Sequence, residues 1–175
     1  MFLKMGVGRK LVRALDNLMV TETNLPLVVA AEHEGSKANL ELSDLDRLGC
    51  SVLELKVKGT KDDRMEGDLE SRASELSQKV NYLLEDIRLV EVNKDKGFAL
   101  LRSYSPREDK DHIFYYEMTL RDDPSISAVR YKYIKERKSP KQVSYILTKE
   151  VLERLVDDLA FVCDFRRCDY DILNV

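Results

Sequence analysis

The run HIFYYEMTLRDDPSISAVRYKYIKERKSPKQVSYIL, residues 112–147, decides the fold. It alternates apolar or aromatic side chains with polar ones and is rich in Ile, Tyr, Val and Thr, which suit a pleated, half-buried surface. Asp122-Asp123-Pro124 and Ser139-Pro140 interrupt it with turn residues. The spacing predicts strands over 112–120, 126–137 and 141–147. Immediately upstream, 86–93 and 98–105 read the same way, joined by Asn93 to Gly97, where Gly97 can supply a positive φ. Turns at such short intervals fit antiparallel pairing and leave no room for parallel crossovers.

Helical stripes bracket this region. Asp68 is placed to cap a helix in which Leu69, Ala73, Leu76, Val80 and Leu83 share one face. Thr148 caps a last helix with Val151, Leu152, Leu155, Leu159 and Val162 on its apolar side. Near the N-terminus, Val7, Leu11, Leu15, Leu18 and Met19 predict a helix over 7–19. Strands follow over 27–31 and 37–42. Ser43 to Asp46 has the outline of a helix cap and predicts a single helical turn ending at Gly49. Over 50–58, Ser51, Leu53, Leu55 and Val57 point one way and Glu54, Lys56 and Lys58 the other.

The expected fold is therefore α+β. An antiparallel sheet, a meander of about five strands after residue 85, carries helices packed on one face, and an N-terminal helix and short strands are added to it. Residues 1–175 form one domain, within which an N-terminal subdomain 1–58, a polar linker 59–68 and a main αβββββα unit 69–175 are distinguishable.

Composition excludes several classes. The chain has 175 residues, 43% hydrophobic and 35% charged, with a net charge of −3, too apolar for a disordered chain. No apolar run of 18 residues exists, so no membrane partner is expected, and the opening lacks the features of a secretory signal. Three cysteines, Cys50, Cys163 and Cys168, make an odd, irregular set that suits a reducing compartment, so the expected location is cytoplasmic.

Motifs of catalysis are scarce. Gly6 and Gly8 precede a helix, as in phosphate-binding turns, but no strand comes before them and Leu11 stands where the third glycine belongs. Glu32-His33-Glu34 on a strand splits its carboxylates and imidazole between two faces. Asp109, Asp111 and His112 share a loop without metal-ligand spacing. Cys163 and Cys168 are too far apart in sequence for a tight zinc pair; Arg166 and Arg167 could activate a thiol there, whereas a buried Cys163 would only complete the helix stripe. The sequence implies no cofactor and no metal.

Residues 130–141 hold six bases and one acid, with Tyr131 and Tyr133 on one face and Arg130, Lys132 and Ile134 on the other. Residues 150–171 hold seven acids and three bases and could complement that strand, within one molecule or across a dimer. Tyr115 sits on the neighbouring strand. These features predict a non-catalytic intracellular protein-binding or adaptor module that could self-associate. Its binding surface is expected at Tyr115, Arg130, Tyr131, Lys132 and Tyr133, its partner being a protein or a second copy. Two alternatives stand beside it. One is an enzyme with dispersed acids and His33 or His112 as acid–base group. The other is single-stranded nucleic-acid binding through 130–138, which the isoelectric point near 5.6 disfavours.

Overall fold

In a computed structural model, residues 6–18, 25–60 and 68–164 are described. Among these residues three helices and ten strands follow in the order α1 (Val7–Leu18), β1 (Leu27–His33), β2 (Ser36–Leu45), β3 (Gly49–Lys58), α2 (Leu69–Lys79), β4 (Ile87–Asn93), β5 (Phe98–Ser103), β6 (Arg107–Glu108), β7 (His112–Arg121), β8 (Ser125–Ile134), β9 (Ser139–Val143), β10 (Tyr145–Thr148) and α3 (Lys149–Cys163). All described pairings are antiparallel, and the main order is β1-β2-β3-β8-β7-β5-β4. The chain is α+β, with an N-terminal helix and the meander the turn spacing predicts.

The topology is two helix-plus-meander halves joined side by side. α1 leads into β1-β2-β3 and α2 into β4-β5-β7-β8, and the last long strand of each half meets the other at the centre, Leu55 opposite Ala128 and Val57 opposite Ile126. α1 packs on β1 and β2, α2 on β4 and β5, and α3 lies over β3 between the other two helices. One sheet face therefore buries Ala38, Leu40, Leu42, Val52, Leu55, Val57, Leu101, Met118, Leu120 and Ile126 against Leu11, Leu15, Ala73, Leu76, Leu152, Leu155 and Leu159 of the helices. Each large apolar side chain so buried contributes about 1.5–3 kcal/mol, and this layer holds the fold together.

Both helix caps read from the sequence are present. The Asp68 carboxylate accepts from the Ser71 N–H at 2.8 Å and the Thr148 hydroxyl from the Val151 N–H at 3.2 Å. Gly97 has φ +66°, as its turn requires. Other expectations need correction. Residues 43–45 continue β2, and the Asp46 carboxylate accepts from the N–H groups of Leu48 and Gly49 at 2.7 and 2.8 Å. The capping residues thus close a hairpin turn instead of starting a helix. A bulge breaks the register between β2 and β3, pairing Leu42 with Val52 and Leu40 with Leu55. Cys50 and Val52 join Leu55 and Val57 in the core, and Ser51 and Leu53 turn to the opposite face.

α2 stops at Lys79, so Val80 is its C-cap and Leu83 lies beyond it. The expected strand 126–137 ends at Ile134, where Lys135 to Lys138 turn the chain. The expected strand 141–147 is two: β9 runs in along β8, and from Ser144 β10 runs back out along β3. The ends of β3 and β8 thus splay apart around a V of chain. Of the linker 59–68, Gly59 donates to the Pro124 carbonyl at 2.8 Å and Thr60 to the Asp164 carboxylate, so its start is docked; residues 61–67 lie outside the described residues. The tail beyond Asp164, with Cys168, lies outside them too.

Candidate functional site

The helices cover one side of the sheet. On the other side, β7 and β8 present Ile113, Tyr115, Glu117, Val129, Tyr131 and Tyr133 at alternate positions. Tyr115 stands directly opposite Tyr131, their ring centroids 5.7 Å apart at 34°, and Tyr133 stands opposite Ile113. The Arg102 guanidinium lies 5.5 Å from the Tyr115 ring and donates to Glu117 at 2.8 Å, which fixes one border of the patch. Pro140 and Gln142 of β9 continue it beside Tyr133 and Tyr131. Burial pushes the Tyr115 and Tyr131 hydroxyls up from their usual range, so both remain protonated donors near neutral pH.

Arg130 does not belong to this surface. Its strand position turns it to the helix side, where it is only 6% exposed and makes a two-pronged ion pair with Glu85 at 2.9 and 2.7 Å. The Tyr116 ring lies 4.2 Å from the guanidinium, and Tyr116 meets Tyr145 edge-on at 5.5 Å. Tyr145 donates to the Ala128 carbonyl at 3.1 Å. Arg130 is thus a structural cation satisfied internally. Lys132 shares its face one step outward and is half-buried. Of the five surface residues expected from sequence, Tyr115, Tyr131 and Tyr133 come together; Arg130 and Lys132 face away from them.

The histidines divide the requirements of an acid–base site between them. His112, which opens β7 and is not in the loop the sequence suggests, has Nδ1 3.2 Å from an Asp109 carboxylate oxygen, but at the solvent-facing end of the strand and away from the cavity that His33 lines. His33 lines an open cavity of about 400 Å3 with Glu34, Ser36, Asp157 and Asp164. There the acids already hold protein groups: Asp157 accepts from the Gly8 N–H at 2.8 Å, and Asp164 accepts from the Ser36 hydroxyl at 2.6 Å. Burial pushes the Asp157 carboxyl up, and the Gly8 N–H offsets this in part.

Gly6, just before α1, and Gly8, in its first turn, serve the same contact. A side chain at Gly8 would collide with the Glu153 carbonyl and one at Gly6 with Asp157, so both permit α1 to close on α3, and a carboxylate of the chain itself occupies the position an anion would take. Cys163 is buried, its thiol pushed up to about 12 by desolvation, and it donates weakly to the Val57 carbonyl at 3.6 Å. It is the helix-stripe residue, and at neutral pH it stays a thiol. A second acid of α3 also works internally: Asp158 accepts from the Tyr82 hydroxyl at 2.7 Å. Among the described residues no ion pair joins α3 to 130–141.

The chain matches no family model, no curated protein and no solved structure. Among the described residues no helix is long and apolar enough to cross a membrane. Sequence reading missed Arg102, Ile113 and Glu117 as neighbours of the tyrosines. Their period-two positions were visible, but the register that aligns them was not.

Proposed function

We propose that the protein is a non-catalytic binding module that takes a polypeptide partner on the uncovered sheet face around Tyr115, Tyr131 and Tyr133. The observation that supports this most is the gathering of three half-buried tyrosines, with Ile113 and Pro140, on the face the helices leave open. Tyrosine gives large contact area at small entropy cost and keeps a hydroxyl for a backbone acceptor. The split of cations and rings between opposite faces of β8 speaks against single-stranded nucleic acid, which needs phosphate contacts and stacking along one track. An enzyme is less well supported, since neither histidine combines a bonded carboxylate with a cavity.

A photocrosslinking residue at position 131, used in cells of the source organism, tests the reading. One dominant adduct is expected, lost in a Tyr115→Ser, Tyr133→Ser background and absent with the crosslinker at Gln78 on the helix layer. Its mass tells a second copy from another protein. Equal adducts from both positions, or none, would refute the reading.

A further inference from the structure

Beyond the Glu85–Arg130 pair, the helix-side face of β7, β8 and β9 comes out into solvent. Arg107 of β6, Phe114 of β7, Lys132 of β8 and Lys141 of β9 stand opposite one another in register. One row across four strands therefore holds three cations around one ring. Arg107 and Lys141 are exposed, Phe114 and Lys132 half-buried, and the Arg107 guanidinium lies 5.9 Å from the Phe114 ring.

Strands about 4.8 Å apart set the two lysines side by side, and like charges directly opposite destabilise a sheet. Other like-charged pairs in this sheet have relief. Lys37 and Lys58 have Glu32 next in their row. Arg88 and Arg102 have the Tyr104 ring at 3.3 Å and the Glu117 carboxylate at 2.8 Å. The β6–β9 row contains no carboxylate. Two of the nearby acids are engaged elsewhere: Glu108 takes Lys135 at 2.6 Å, and Asp109 takes the N–H groups of His112 and Asp111 at 2.7 and 2.9 Å. Among the described residues Lys132 and Lys141 have no ion pair.

We propose that this row is an anion-binding strip for an acidic polypeptide segment laid across β6 to β9. The strip goes beyond the tyrosine patch, lies on the opposite face and shares no residue with it. Carboxylates along an extended segment can meet cations spread over neighbouring strands, and they leave the cost of the Lys132–Lys141 juxtaposition repaid only in the complex. A nucleic acid is the weaker occupant, because the tyrosines on which bases would stack lie behind the strip, on the opposite face of the sheet.

The test uses the full chain with fluorescein-labelled deca-glutamate and deca-thymidylate in anisotropy titrations at about 50 and 200 mM salt. Deca-glutamate is expected to bind, more weakly at the higher salt, and Lys132→Glu with Lys141→Glu to weaken it at least about 10-fold, while Lys94→Glu leaves it unchanged. Lys141→Glu alone turns a Lys–Lys pair into a Lys–Glu pair. It is expected to raise Tm by about 1–3 °C while weakening binding, a combination that misfolding cannot produce. The proposal is overturned by absence of deca-glutamate binding at low salt, by binding indifferent to the double substitution, by a Tm that falls in Lys141→Glu, or by tighter binding of deca-thymidylate.

Discussion

Arg130 and Lys132 are two residues apart on one strand and point the same way, yet they live under different rules. Over Arg130 lies the loop after α2, which delivers Glu85; the two side chains are 7% and 6% exposed and joined at 2.7 Å. Over Lys132 there is no such carboxylate, and its neighbour in register is another lysine. A basic strand is thus an internal fastening at one position and an unpaired surface charge at the next, and what decides is the element packed above it. The two faces of β8 repeat the lesson with tyrosines: Tyr131 is half-buried on the open side, while Tyr145, reached from the helix side, is wholly enclosed and bonded to the β8 carbonyl of Ala128.

The largest effect is expected from cutting the fastening. Glu85→Ala leaves the Arg130 guanidinium buried without its counter-charge and should cost about 3–5 kcal/mol in chemical denaturation. A joint Glu85→Leu, Arg130→Met change should recover most of that. If Glu85→Ala cost as little as a surface change, the contrast between the two positions would fail.

Tyr145→Phe should cost about 1 kcal/mol, because it removes a buried hydrogen bond to the Ala128 carbonyl, whereas Tyr131→Phe should leave stability within about 0.5 kcal/mol. Equal costs would mean that the two tyrosines are equally enclosed. Asp157 provides a pH test of a half-buried charge on α3. Burial holds its carboxyl above the ordinary 3.8, so the folded state binds the proton more tightly than the unfolded state. Its contribution is therefore greatest at low pH and is lost as pH rises through the folded pKa. Asp157→Asn keeps an acceptor for the Gly8 N–H, so its stability relative to wild type should climb over that window and then level off. A difference independent of pH would remove burial as the cause. Smallest of all, Lys132→Ala should move stability by no more than about 0.5 kcal/mol in a melt, the counterpart to Glu85→Ala.

Much of the architecture could be read before any coordinates. Turn chemistry at Asn93–Gly97 and Asp122–Pro124 set the strand spacing, and Asp68 and Thr148 marked two helix starts, because these are local signals obeyed locally. What was not readable depends on contacts distant in sequence. Glu85 lies 45 residues from Arg130, so nothing in the stretch 130–141 separates the paired cation from the unpaired ones. The bulge that turns Ser51 and Leu53 out of the core answers the pairing of β3 with β2, which alternation within β3 alone does not encode. The tyrosine patch was half legible: strand period put Tyr131 and Tyr133 together, and only register added Tyr115 and Ile113.

The seam at β3 and β8 has a consequence for how the protein could be divided. Each half supplies one of the two central strands, and α3, encoded after the second half, rests on β3 of the first. Neither half owns a closed interior, so expressing one alone would leave an oily strand and a helix seat bare. Two fragments severed between Thr60 and Asp68 and mixed would have every reason to reassemble, since the cut removes a covalent tie and spares the seam.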